Sequence, residues 1–347
     1  MSNHEKKRRH INIPVFIPHL GCPNTCVFCD QRNISGRDRP VEVQDVGSII
    51  EEWVSTASAN DEIELAFFGG SFTGIPRDEM IAYLEAAHDY VKKGVISGIR
   101  ISTRPDYIDD EILDILKDHG VKVIELGVQS MMDTVLRLSR RGHTVQDVVH
   151  ASELIKKRGF TLGIQIMPGL PSDTIDTSLK TAEMVIALKP EIVRIYPAVV
   201  LKGTELETLY KAGLFKPLTI EEAVTWCSIM VPLFRRAGIL IVRLGLHYSE
   251  VLADSVVAGP FHPAFGEMVE SGILLDRISR IIEDKRLDCE GIAIQTWKGA
   301  LSKTLGHKRA NITALKERYG YKHIVVKESD CLPGEIRVLK YDRGELS

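Results

Sequence analysis

The chain has 347 residues, enough for one large α/β domain with a smaller appendage. Its 44% hydrophobic and 26% charged residues are ordinary for a water-soluble globular protein, and a net charge of −3 excludes a global pull toward nucleic acid or membrane. No apolar run reaches the roughly 20 residues that span a bilayer, and no signal-like apolar core follows the basic start, Met1 to His10. A cytoplasmic protein with no membrane partner is expected. Cys227, Cys289 and Cys331 stand singly, as buried small hydrophobes do in a reducing compartment.

In chain order, Ile11 to Leu20 reads as a strand that ends at Gly21, where a cysteine-rich loop begins. Gln31 to Arg39 is polar loop, and Val43 to Ala59 has the apolar spacing of an amphipathic helix. Strands are expected at Glu62 to Phe68, Gly98 to Thr103, Val121 to Gly127, Phe160 to Met167 and Ile192 to Val199. Helices are expected between them, at Arg77 to Lys93, Asp109 to His119, Thr144 to Arg158 and Ser178 to Leu188. Six β/α units with crossovers this long predict an α/β fold, a partial (β/α)6 TIM-like barrel with its site at the C-terminal strand ends. No G-x-G-x-x-G follows the first strand, which argues against a doubly wound dinucleotide fold. Every unusual feature follows a strand: the cysteines, then Gly69-Gly70-Ser71, Arg104, Gln129-Ser130, Met167-Pro168-Gly169 and Tyr196-Pro197. Together on one rim they read as a cofactor site.

Cys22, Cys26 and Cys29 have the spacing C-x3-C-x2-C, so one short loop can aim three thiolates at one centre. Three is one short of the set that saturates a cubane cluster or a structural zinc. The spacing leaves an open-site iron–sulfur cluster, a zinc site and unrelated cysteines as readings. A thioredoxin-like reading uses Cys26 and Cys29 and leaves Cys22 idle. Phe28, just before the last cysteine, suits packing on a planar ligand such as adenine.

This loop resembles the C-x3-C-x-aromatic-C signature of the radical S-adenosylmethionine (SAM) superfamily. The stretches Phe68 to Phe72, Thr103 to Tyr107, Glu125 to Ser130, Arg141 to Thr144, Met167 to Pro171 and Lys202 to Leu206 look like its Elp3-like branch, the catalytic subunit of Elongator and its relatives. The resemblance implies that Cys22, Cys26 and Cys29 hold a [4Fe–4S] cluster whose fourth iron chelates SAM. It implies adenine contact for Phe28 and methionine contact for Gly69, Gly70 and Ser71. Gln129 and Ser130 are then placed for ribose or carboxylate, Arg104 for carboxylate, and Met167 on the cofactor rim. The implied chemistry is reductive cleavage of SAM to methionine and a 5′-deoxyadenosyl radical, with a reductant such as flavodoxin or ferredoxin. The branch also implies a tRNA base as substrate. The chain departs from that branch by one residue fewer between its first two cysteines and by Ser102 in place of a glutamate. Ending at Ser347, it is expected to lack the branch's acetyltransferase domain.

The expected divisions are a basic tail at 1–10, the barrel core at 11–215, a helical and strand extension at 216–286 and an α+β appendage at 287–347. Within the extension, Leu218 to Ala237 reads as a helix and Leu240 to Leu246 as a strand. His262 sits in a turn-rich loop, where backbone hydrogen bonding competes with an acid/base role. Lys298, Lys303, His307, Lys308, Arg309, Lys316, Arg318 and Lys322 form a basic cluster opposed by Glu317, either an RNA-tracking patch or a solvated face. Two rival functions stand beside the leading one. One keeps the radical chemistry on a small molecule or peptide, and the other is a non-catalytic metal- or cluster-binding protein.

Overall fold

The computed structural model describes residues 9–17, 20–22, 26–31, 34 and 39–341. Most of the expected basic tail and most of the loop at 31–39 lie outside the described residues. The chain divides into two units, residues 1–218 with 233–261 and residues 219–232 with 262–347.

The first unit is built on β1 (His10–Phe16), β2 (Glu62–Phe68), β3 (Gly98–Thr103), β4 (Val121–Gln129), β5 (Thr161–Ile166) and β6 (Ile192–Ile195). After the short β7 (Val200–Leu201) comes β8 (Leu240–Leu244), and the parallel sheet runs β1-β2-β3-β4-β5-β6-β8. Where six strands were expected, β8 adds a seventh by pairing alongside β6. β7 pairs antiparallel with β9 (Val256–Ala258) instead of extending β6, because Pro197 interrupts that strand.

Several of the helices start where polar side chains satisfy their first free N–H groups. Asp109 accepts from Ile112 N at 2.7 Å, and Thr144 with Asp147 and Thr174 with Thr177 form capping boxes. The second box starts its helix at Ile175, three residues before the expected Ser178.

One face of the sheet is apolar: Ile13, Val15, Leu65, Phe67, Ile99, Ile101, Ile124, Leu126, Leu162, Ile164, Val193 and Ile195 are almost fully buried. The other face carries charge. Arg194 Cζ on β6 lies 5.5 Å from the centre of the Phe68 ring on β2. Those strands are four steps apart in the sheet, roughly 19 Å if it were flat, so the sheet curls around its polar face. Since β8 does not pair with β1, the barrel is open, a half-barrel.

Across that lumen runs a ladder of ion pairs. Arg100 donates to Glu64 at 2.8 Å and to Glu125 at 2.8 Å, and Arg194 donates to Glu125 at 2.5 and 3.0 Å. Gly163 makes room for it, because a Cβ there would meet Glu125 Cγ at 2.8 Å. Burial works against the Arg194 charge, and Glu125 outweighs it, holding the guanidinium above its ordinary value.

The second unit is α+β, as expected for the appendage. β10 (Gly291–Thr296) lies between parallel β11 (His323–Glu328) and antiparallel β12 (Ile336–Lys340). Leu274, Ile278 and Ile282 of the Phe265–Asp284 helix pack with Ile292, Ile294, Leu315 and Val338. The basic cluster falls here, partly answered: Lys322 pairs with Glu290 at 2.6 Å and Arg318 donates to Ser279 at 3.1 Å. His262 Nδ1 accepts from Ala264 N at 3.0 Å, the backbone-bonded alternative for that residue.

Candidate active site

The cysteine loop leaves β1 and is clasped by the loop that leaves β2. Ser71 N donates to Leu20 O at 2.9 Å, and Ile17 N to Phe68 O at 2.8 Å. Glycine is required at this clasp for a backbone reason. A Cβ on Gly70 would meet Leu20 O at 2.4 Å, and one on Gly21 would meet Ser71 O at 2.2 Å. Gly70 therefore lets the two loops touch each other. Gly69 supplies the left-handed turn, with φ of 94°.

Within the clasp, Cys22 Sγ lies 3.5 Å from Ser71 Oγ, and Cys29 N donates to Cys26 O at 3.0 Å. Val27 N donates to Ser139 O at 3.3 Å and Val27 O accepts from Leu206 N at 2.7 Å, pinning the loop from behind. Cys26, Phe28 and Met167 are buried in one apolar cluster with Val135, Leu170 and Ala198. Burial, then the proximity of Cys26 and Cys22, pushes the Cys29 thiol up to about 12. A bound cationic metal would offset that rise at Cys29 and favour its thiolate. Among the described residues, no three His, Cys, Asp or Glu side chains converge on a single-ion site.

Arg141 is the residue whose role went unread in the sequence. Its Nη1 donates to Cys26 Sγ at 3.0 Å and its Nη2 to Gly127 O at 2.6 Å, with Cζ 6.0 Å from the Phe28 ring centre. Its buried Nε has no partner among the described residues. The signal available was the Arg-Gly-His stretch itself, with Gly142 in the left-handed conformation just before the Val145–Lys157 helix.

Gln129 ends β4 at a bulge, where the register with β5 shifts, and takes the left-handed conformation at φ of 68°. A non-glycine residue pays for that conformation. Its buried Oε1 also lacks a partner among the described residues. Other expected contacts are engaged by the protein. Ser130 Oγ lies 3.3 Å from Thr181 Oγ1 and accepts from Met132 N at 3.2 Å. Arg104 forms a two-pronged pair with Asp106 at 2.9 and 2.7 Å. A cavity of about 430 Å³ is lined by apolar Leu170, Leu209, Phe215 and Leu218 and by polar Ser172, Asp173 and Lys216.

His143 is buried, and Val128 O, 3.2 Å from Nε2, fixes the proton there and leaves Nδ1 unpartnered. Burial first, then the Arg141 charge, depresses it to about 3. In the unfolded chain it titrates near 6.5. As pH falls below about 6.5 the unfolded state takes a proton that the native state refuses until about 3, so stability declines through that window. The loss is about 1.4 kcal/mol per pH unit, or about 2 kcal/mol by pH 5. His143→Gln keeps a donor for Val128, and its stability is expected to fall less between pH 7 and pH 5 than the parent's. Equal slopes in chemical denaturation would contradict the assignment.

A half-barrel with a three-thiol loop and unpartnered buried donor and acceptor atoms near its strand ends has the form of an α/β enzyme site. Residues 16–185 match the radical SAM superfamily and residues 190–273 the Radical_SAM C-terminal domain. The chain belongs to the radical SAM superfamily. It is similar to a tRNA uridine(34) acetyltransferase of Methanocaldococcus infernus, 28% identical over 240 residues, covering 63% of this chain and 44% of the relative. An uncharacterised protein of Methanocaldococcus jannaschii is 33% identical over 228 residues, covering 61% of this chain and 68% of that one. The solved structure of M. infernus Elp3 with an N-terminal deletion shares the fold, with TM-score 0.62 and 24% identity over 82% of this chain and 65% of that one. The chain thus spans less than half of the acetyltransferase it matches. Among the described residues no helix is long and apolar enough to cross a membrane.

Proposed function

We propose that Cys22, Cys26 and Cys29 hold a [4Fe–4S] cluster whose open iron takes SAM, and that the enzyme acts on a base of tRNA in a cytoplasmic, reducing setting. One observation carries the reading. The three thiols sit at the strand-end rim beside two unpartnered buried groups, Arg141 Nε and Gln129 Oε1, a donor and an acceptor suited to the carboxylate and amino group of SAM. When bound, the cluster would relay one electron from a carrier such as flavodoxin or ferredoxin to SAM, chemistry that would yield methionine and a 5′-deoxyadenosyl radical able to take hydrogen from substrate. The chain's own part is positional. Phe28 and Met167 give an apolar wall for the adenine, and Gly69, Gly70 and Ser71 hold the cysteine loop. Arg141 places positive charge on Cys26 and on the carboxylate. Gln129 receives the ammonium or a ribose hydroxyl, while Ser130 and Arg104 hold the rim through Thr181 and Asp106. The tRNA substrate is supported by the activity of the archaeal relative.

The test is anaerobic reconstitution with iron and sulfide, followed by dithionite, SAM and tRNA, with 5′-deoxyadenosine assayed by chromatography. Product that rises when tRNA is added is the expected result. Protein carrying a full cluster that makes none, with or without tRNA, would sink the reading.

A further inference from the structure

We propose that Arg243 and His247 bind a phosphate group of the substrate at the open edge of the half-barrel. The inference rests on the preceding reading for the word substrate, and on this chain's own geometry for the site. β8 is the edge strand at the opposite end of the sheet from β1, which carries the cysteine loop. Arg243 pairs in register with Arg194, so the two arginines share the lumen face. Among the described residues Arg243 donates to later residues, from Nε to Gly245 O at 3.3 Å and from Nη2 to His247 Nδ1 at 3.1 Å. The guanidinium therefore turns toward the C-terminal strand ends, where half-barrel and barrel sites lie.

The charges beside it are unequal. Arg194 is answered by Glu125, whereas Arg243, half-buried, has no carboxylate partner among the described residues. Burial holds the Tyr196 phenol, just past β6, above its ordinary value, and the Arg243 charge is the smallest of the influences acting on it, opposing that rise. A half-buried cation left without an anion costs solvation that a ligand anion restores. Because His247 Nδ1 accepts from Arg243, its ring proton sits on Nε2, and the exposed ring offers it outward. A guanidinium fork with a separate N–H donor suits a tetrahedral phosphate, which presents more oxygens than a carboxylate. The site faces the cysteine loop's end of the lumen from the opposite edge, so a phosphate held there would anchor one side of a substrate.

The test is calorimetric titration of inorganic phosphate, and separately acetate, into the full-length reconstituted protein. One saturable phosphate site is expected, weakened about tenfold or more in Arg243→Gln, with acetate binding more weakly. Arg243→Lys should fall between, keeping charge without the fork. Arg137→Gln, an exposed cation elsewhere, should bind like the parent, and an unchanged melting temperature for Arg243→Gln would show that folding is not the cause. Absence of a saturable site, equal affinity for acetate, or parental affinity in Arg243→Gln would overturn the proposal. Cluster absorbance on the same samples keeps the two readings apart. A chain that binds phosphate through Arg243 without forming a cluster loses only the earlier one, and a full cluster without phosphate binding loses only this one.

Discussion

Cys26→Ala is expected to abolish both the brown colour of the reconstituted protein and 5′-deoxyadenosine formation, down to the level of a control without enzyme. Cys26 is the most deeply buried of the three thiols, and its sulfur is the acceptor for Arg141 Nη1 at 3.0 Å. Alanine therefore removes a cluster ligand and strands a buried donor, a loss of about 1–3 kcal/mol from the second effect alone. Cys26→Ser separates the two. A serine hydroxyl can still accept from Arg141 but is a poor ligand for soft iron, so this variant should melt near the parent and still lack the cluster. Iron content, absorbance and melting temperature measured together decide it. Retained SAM cleavage in either variant would remove Cys26 from the ligand set. A serine variant as unstable as the alanine one would mean that the Arg141 contact does not hold the loop.

The strands, crossovers and rim were legible in the sequence because their signals are local. Caps such as Asp109, Thr144 and Thr174 start helices, and Gly and Pro punctuate the strand ends. Those signals also placed the cysteines, Gly69 to Ser71 and Gln129 on one rim before any pairing was known. What local signals could not carry was partnership across long separations. The Arg141 to Cys26 contact joins residues 115 apart, and β8 joins the sheet only after the long excursion from β6. Nor could local signals reveal that Gly70 lies against the backbone of the neighbouring loop, where a Cβ would meet Leu20 O at 2.4 Å. Ser130 and Arg104 look ligand-ready in sequence, and only the fold reveals Thr181 and Asp106 beside them. A clue to the lumen was on view: Glu64, Arg100, Glu125 and Arg194 interrupt otherwise apolar strands, as charges do on an enclosed polar face.

Glu125→Ala should be the most destabilising single change in that lumen. Glu125 is 3% exposed and answers two arginines, yet their situations differ. Arg100 keeps Glu64 at 2.8 Å when Glu125 is lost, whereas among the described residues Arg194 keeps only the Tyr196 hydroxyl at 3.4 Å and the Phe68 ring. Removing one partner of a buried ion pair costs about 3–5 kcal/mol, most of it the charge left behind. For a unit of this size that lowers the melting temperature by roughly 6–20 °C, taking about 2–4 °C per kcal/mol. The origin of the loss is testable by adding a second change. Arg194→Met in the Glu125→Ala background removes the stranded cation, so the double variant should be more stable than Glu125→Ala by about 1–3 kcal/mol. Arg194→Met alone should cost less than Glu125→Ala, because Glu125 would still hold Arg100 at 2.8 Å. If the double variant is no more stable than the single one, the penalty is a packing defect around Gly163, and the ladder is not what holds the lumen open. If it recovers, the half-barrel keeps its polar interior by matching charges across strands.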